Sequence, residues 1–261
     1  MSHLVEVLAL AAVQGLTEFL PVSSSGHLVL MQHFIGASPG DLFFDVVLHC
    51  GTLGSVLVVY RREVGRLLRL DAAARGYLFA LALGTVPAGL VGVGLQATVE
   101  RLFVSPATAG AGLLITAGLL LSTLRARAPE ASRGIAWQPR PPSLSRALLI
   151  GCAQALAICP GISRSGATIT AALWLGLPRD EAARFSFLLS VPAIGGALVL
   201  HLLGPQQELR TDVAGLVMSA VVAFAVGLLA IRWTALAVVQ HHFWKFGPYC
   251  AALGLLVLVL V

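Results

Sequence analysis

Apolar runs long enough to cross a bilayer recur along almost the whole chain, and they dictate what it can fold into. Residues 43–60, 77–97, 106–124, 185–203, 213–231 and 247–261 each come near the roughly 20 residues a transmembrane helix needs. Two more apolar stretches, 4–35 and 146–177, are interrupted by Pro21-Val22-Ser23-Ser24-Ser25-Gly26 and by Pro160-Gly161-Ile162-Ser163-Arg164-Ser165-Gly166. Only 11% of the residues are charged, against roughly 25% in a soluble domain. Most of the outer surface must therefore face lipid. The expected class is an all-α integral membrane protein, a polytopic helical bundle forming a single membrane domain over 1–261.

The formal charge is +5, carried almost entirely by arginine, with Lys245 the single lysine. These cations cluster between apolar runs, where they mark cytoplasmic loops rather than a nucleic-acid surface. Membrane lipids are the expected surroundings, and no nucleic-acid partner is expected. Arg61, Arg62, Arg66, Arg69 and Arg75 make one such loop. Arg125, Arg127, Arg133, Arg140 and Arg146 make a second, proline-rich one, and Arg232, His241, His242 and Lys245 a third. Cys50, Cys152, Cys159 and Cys250 lie within apolar segments without CxxC spacing, so they read as packing residues. The N-terminus has no basic n-region and carries Glu6 where an apolar core would start, so it does not read as a cleaved signal peptide.

Placing all three basic loops on one side requires 146–177 to cross an even number of times. Its halves, 146–159 and 166–177, are only about 18–21 Å long as helices. The segment therefore reads as a re-entrant hairpin that enters and returns. The two interrupted segments also match at an offset of 140: Gln14 with Gln154, Leu16 with Leu156, and Ser23-Ser24-Ser25-Gly26 with Ser163-Arg164-Ser165-Gly166. Traced through both copies, the topology gives opposite orientations. The expected architecture is two inverted repeats, about 1–124 and about 146–261, joined by a cytoplasmic linker of about 125–145. Interrupted helices at corresponding places in inverted halves point to a site near the midplane.

The hairpin bends carry the polar residues. The first has Gln14, Thr17, Glu18, Ser23, Ser24, Ser25 and His27; the second has Ser163, Arg164, Ser165 and Thr168. Gln14 and Glu18, four apart, share a helix face. Intramembrane charges are expensive and point to function. Arg164 offers forked donors suited to phosphate oxygens. Hydroxyls and backbone N–H groups at a glycine-containing turn form an anion cradle. Glu18 can hold a divalent cation or move a proton, and His27 titrates near neutrality. Together these are parts for phosphoryl transfer. The plain alternatives are a structural Glu18–Arg164 pair, serines that permit close helix packing, and a satisfied buried His27. His49 and Asp45 read as supporting or cavity-lining groups, and Glu181 and Arg184 as charges on the cytoplasmic rim. A transporter or lipid flippase using the same residues is the rival class, and a purely structural membrane subunit is a third.

The run from Gln14 to His27 resembles the first signature of the undecaprenyl-diphosphate phosphatase family, the bacitracin-resistance type. Pro160 to Thr168 resembles the second, and Phe185-Ser186-Phe187-Leu188-Leu189 with Pro192 also resembles that family. The resemblance implies a multi-pass enzyme of the bacterial inner membrane. Such an enzyme converts undecaprenyl diphosphate, a polyprenyl diphosphate lipid, to the monophosphate, recycling the carrier of cell-wall synthesis and conferring bacitracin resistance. It implies a divalent cation, Mg2+ or Ca2+, a site opening to the outer side, and is compatible with a homodimer. Carried over by position, Glu18, Ser24, His27 and Arg164 match catalytic residues. Ser23, Ser25, Ser163, Ser165 and Thr168 are expected around the phosphates, and Glu18 with Gln14 around the metal. Gln14 stands where many members have glutamate; an amide can ligate but cannot act as a base. The nucleophile is Ser24, His27 or an activated water.

Overall fold

The computed structural model describes residues 3–35, 42–95, 102, 105–131, 137–202 and 212–261. Arg133, residues 96–97 and residue 203 of the expected loop and spans lie outside that set. The described residues are helical, with no strand among them. In chain order they form α1 (His3–Phe19), α2 (Ser24–Ile35), α3 (Leu42–Val59), α4 (Arg61–Leu67), α5 (Ala72–Gly94) and α6 (Pro106–Ser122). These are followed by α7 (Leu144–Leu156), α8 (Arg164–Trp174), α9 (Arg179–Leu202), α10 (Val213–Val239) and α11 (Gly247–Leu260).

Five stretches are long and apolar enough to cross a membrane: Ala72–Gly94, Pro106–Arg125, Arg179–Val199, Val213–Val239 and Phe243–Leu260. A sixth, Phe44–Val59, bends by 79° into Arg61–Leu67. The chain is thus a multi-pass helical membrane protein. Its outer faces display Leu90, Val213 and Val259, side chains suited to lipid. The two interrupted segments form helix–turn–helix hairpins, α1–α2 and α7–α8, whose arms touch. At 12, 13 and 11 residues, α2, α7 and α8 fall well short of a hydrocarbon core about 30 Å thick.

With no hydrophobic drive between helices in lipid, close approach through small residues replaces it. α1 and α3 both pack on α10, where a Cβ on Gly15 would stand 2.7 Å from the Ala223 carbonyl and one on Gly51 2.4 Å from that of Ala220. α7 packs on α5, where Gly151 leaves the same kind of gap against the Gly84 carbonyl, 2.4 Å away. α6 packs on α11 through Gly110 and Gly254. Between these pairs lies a buried aromatic group, with Phe19 edge-on to Phe187 at 5.8 Å and Tyr77 edge-on to Phe185 at 5.7 Å.

The hairpin tips meet directly. A Cβ on Gly26 would lie 3.0 Å from Gly161 Cα, and Ser165 Oγ donates to the Leu20 carbonyl at 3.3 Å. Gly161 has φ +85°, and a Cβ there would lie 2.1 Å from the Ala109 carbonyl. Both the backbone conformation and the space therefore demand glycine. Gly161→Ala should cost at least about 2 kcal/mol from the left-handed backbone and overpacking together. A lowered midpoint in thermal unfolding in detergent is the check, and an unchanged midpoint would contradict this packing.

Glu181 and Arg184, read from the sequence as charges on the cytoplasmic rim, belong to a network that ties the linker down. Glu181 accepts from Tyr77 Oη at 2.6 Å and from Trp137 Nε1 at 3.0 Å. Arg184 pairs with Glu181 at 2.6 Å, with Glu63 at 3.6 Å and with Asp180 at 3.6 Å, and lies over the Trp137 ring. Aromatic donors arriving from α5 and from the linker are what shield this charge from solvent; their positions are a matter of tertiary packing.

Candidate active site

Each hairpin tip is built by a serine that caps the helix following it. Ser163 Oγ accepts from Gly166 N at 3.1 Å, and Ser23 Oγ accepts from Gly26 N at 3.2 Å. A side-chain oxygen here satisfies one of the free N–H groups of the first turn. Ser23 has φ 69°, a left-handed backbone that is strained for serine and held by its surroundings. As a result α2 and α8 both begin at the tips, with their positive dipole ends at the same place.

The glutamate of the first hairpin and the arginine of the second meet there. Arg164 Nη2 donates to Glu18 Oε1 at 2.5 Å. Glu18 Oε2 accepts from Ser24 Oγ at 2.8 Å and from Gln14 Nε2 at 3.1 Å. Gln14 Nε2 also reaches His49 Nε2 at 3.3 Å, while His49 Nδ1 lies 2.7 Å from the Asp45 carbonyl. A carbonyl only accepts, so Nδ1 carries the hydrogen and Nε2 offers its lone pair to the Gln14 amide. His49 Nε2 is 3.9 Å from Glu18 Oε2.

Two buried atoms of this cluster have no partner: Arg164 Nη1 and Gln14 Oε1. Leaving a buried donor or acceptor unmade costs about 1–3 kcal/mol, more for a charged group. A site that carries such a cost is shaped for a ligand: here an anion for the guanidinium and a cation or donor for the amide oxygen. Arg164 lines a cavity of about 900 Å3 whose polar end also includes Glu18, Ser23, Ser24, Ser25 and Ser163, together with Thr17, Asp45 and His49; Gln14, bonded to Glu18, is not one of its lining residues. Its other walls are mainly apolar and come from α5 and α9, with Val46 and Cys50 of α3 and with Gln154, Ala157 and Ile158 of the second hairpin.

Besides Gln14, three expected site residues stand outside the cavity lining. His27 does not line the cavity. Its Nδ1 donates to the Ser23 carbonyl at 2.8 Å, and its Nε2 accepts from Tyr249 Oη at 2.7 Å, with the rings stacked. Its imidazole braces the strained tip from behind, and the group bonded to the Ser24 hydroxyl is Glu18, not His27. Ser165 Oγ is shared between Ser163 Oγ at 3.2 Å and the Leu20 carbonyl, joining the hairpins. Thr168 Oγ1 donates to the Arg164 carbonyl at 2.8 Å and meets Ser186 Oγ at 2.6 Å. It holds α8 against α9.

Other residues enter that the sequence left unmarked. Thr116 on α6 receives Ser163 N at 2.9 Å and donates to the Gly161 carbonyl at 2.8 Å, fixing the second tip. Tyr249 secures His27. Gln154, the repeat partner of Gln14, lines the cavity with its Oε1 unpartnered; the internal match was the one signal for it.

Among the described residues no three His, Cys, Asp or Glu side chains gather as a metal cage. The donors present suit a hard cation in a limited way. Glu18 and the unpartnered Gln14 Oε1 supply oxygen, in the manner of Mg2+ sites that take most ligands from substrate phosphates and water.

Residues 7–256 match the family model described as bacitracin resistance protein BacA. The chain is 44% identical to an undecaprenyl-diphosphatase of Desulfosudis oleivorans, over 96% of both chains. It is 40% identical to that of Desulfatibacillum aliphaticivorans, over 98% of both, and 40% identical to that of Rhodopirellula baltica, over 100% of this chain and 99% of the other. A match that runs from the first hairpin through the last span takes in every element that builds the cradle, and the chain belongs to the bacitracin resistance protein BacA family.

Proposed function

We propose that this chain hydrolyses undecaprenyl diphosphate to undecaprenyl phosphate and inorganic phosphate in the bacterial inner membrane. This activity would return the lipid carrier to cell-wall synthesis and oppose bacitracin. The observation that carries the reading is Arg164 Nη1: a buried guanidinium nitrogen without a protein partner, beside a serine hydroxyl already bonded to a carboxylate.

The diphosphate sits between the tips, its terminal phosphoryl group against Arg164 Nη1 and the N-termini of α2 and α8. Ser24 Oγ attacks the terminal phosphorus while its proton passes to Glu18 Oε2. The bond from that phosphorus to the bridging oxygen breaks, and undecaprenyl phosphate leaves. Water then cleaves the phosphoserine, giving inorganic phosphate and free Ser24. Preorganised donors facing the developing charge supply most of the rate. Gln14 holds Glu18 in place, and His49 stands next to receive the carboxyl proton. A divalent cation, when held by Glu18, Gln14 Oε1 and the substrate, supplies further charge neutralisation on the phosphate oxygens.

Purified chain in detergent micelles is the test. Phosphate release from undecaprenyl diphosphate should require Mg2+ or Ca2+ and stop with chelator. No release with any divalent cation would remove the enzyme and leave a transporter or flippase. That second reading draws on the exchanged packing of the two halves, α1 on α10 and α7 on α5, and on the matching serine caps. The same features support inverted repeats over about 1–124 and about 146–261.

A further inference from the structure

Ser24 follows directly on Ser23, whose φ of 69° is a left-handed value that L side chains rarely adopt. Such a backbone persists only where its surroundings hold it. Here the hold is on the Ser23 carbonyl. It accepts two hydrogen bonds from His27, from the backbone N–H at 3.2 Å and from Nδ1 at 2.8 Å. His27 Nε2 in turn accepts from Tyr249 Oη at 2.7 Å. We propose that Tyr249, on α11, is a positioning residue for Ser24, acting through His27 and the Ser23 carbonyl. This rests on the diphosphatase reading above, in which Ser24 makes the attack.

The bonds run in one direction. The Ser23 carbonyl only accepts, so Nδ1 carries the hydrogen and Nε2 keeps a lone pair that needs a donor. The Tyr249 hydroxyl is that donor. The two rings are also stacked, with centroids 5.8 Å apart and planes 10° apart, which keeps the imidazole from turning. A peptide unit is planar, so a carbonyl held in this way fixes the Ser24 N and Cα that share its plane. Ser24 Oγ is thereby set to meet Glu18 Oε2 at 2.8 Å.

Helix α11 grips the same tip a second time. Cys250, the next residue along, is buried, and its Sγ donates to the Pro21 carbonyl at 3.7 Å. α11 is itself seated on α6, where a Cβ on Gly254 would stand 2.8 Å from the Gly110 carbonyl. Both ring nitrogens of His27 are occupied and its ring does not line the cavity, so it has no free position from which to carry a proton. Tyr249 is 49% exposed, so its hydroxyl can be removed without opening a gap in the core.

The test uses the full chain in detergent micelles with undecaprenyl diphosphate and Mg2+, with folding followed by circular dichroism and the thermal midpoint. Tyr249→Phe keeps the stacked ring and removes one hydroxyl. It should lower kcat about tenfold or more, within the scale of a misplaced reacting group, and leave KM near that of the native chain. His27→Asn offers an amide N–H in place of Nδ1 and has no atom in place of Nε2. It should keep at least about tenfold more activity than His27→Ala, because a donor to the Ser23 carbonyl is what the site needs. Equal losses in the two variants would make His27 a proton carrier and overturn the proposal. Adding Tyr249→Phe to His27→Asn should cost nothing further, since the acceptor of the tyrosine hydroxyl is already gone; a full additional loss would show that the hydroxyl acts elsewhere. Native kcat in Tyr249→Phe, or a loss confined to KM or to the thermal midpoint, also overturns the positioning role. A native chain that releases no phosphate removes the diphosphatase reading and this role with it, whereas an active native chain with an unaffected Tyr249→Phe removes the role alone.

Discussion

Arg164→Ala should lower phosphate release by about a thousandfold or more, the scale of losing a preorganised transition-state donor or an arginine that neutralises a transferring phosphoryl group. Two effects combine in that variant and can be separated. The first is catalytic, because Arg164 lines the cavity and its Nη1 has no protein partner. The second is structural, because Nη2 is the partner of buried Glu18. Removing one member of a buried pair leaves an uncompensated charge, at a cost of about 3–5 kcal/mol. Adding Glu18→Gln removes the stranded charge, so the double variant should regain much of the lost thermal stability and none of the activity. Arg164→Lys keeps the charge but not the fork that bonds carboxylate and phosphate together. It should fold well and still turn over poorly. A well-folded Arg164→Ala protein with near-native turnover would end the proposed role.

Ser24→Ala should be nearly as damaging to turnover, with a drop of about a thousandfold or more if the covalent step is lost, and far milder for the fold. The hydroxyl faces the cavity and bonds only Glu18 in the described contacts, so its loss opens no gap in the packing. The decisive measurement is single turnover with substrate labelled in its terminal phosphate, quenched early. The native chain should retain label on Ser24, and Ser24→Ala should retain none. Full activity without Ser24, or rapid turnover with no labelled protein at any time, would move the attack to water. Ser165→Ala is the contrast: its hydroxyl joins the hairpins, and its loss should lower stability before it lowers chemistry.

Much of this architecture was readable from residue order, for physical reasons. Serine, glutamate and arginine are costly inside apolar runs, so their clustering at two interruptions marked the hairpins, and opposite charges in the two interrupted segments pointed to the meeting of Glu18 with Arg164. What remained hidden depends on rotation and on distant partners. His27 lies one helical turn from Ser24, which suggested a base beside a nucleophile. Its ring instead turns to its own Ser23 carbonyl and to Tyr249, 222 positions away. His49, read as a supporting or cavity-lining group, does line the cavity, but its bond to Gln14 depends on α3 passing alongside α1. Thr116 is one threonine in a long apolar helix, and nothing local separates it from a packing residue. Trp137 lies in the proline-rich linker read as a cytoplasmic loop, and only the folded chain shows that it covers the partly buried Glu181 carboxylate.

α6 carries no group that meets the phosphates, yet both tips lean on it. It touches α2 and α8, and its Gly112 leaves room for the Pro160 carbonyl where a Cβ would come within 2.1 Å. It therefore acts as a common anvil. Neither half of the cradle can be retuned without the other, because this one helix touches both the helix that begins at Ser24 and the helix that begins at Arg164. A wedge reaching α6 from the lipid side would silence the enzyme without ever competing for its headgroup.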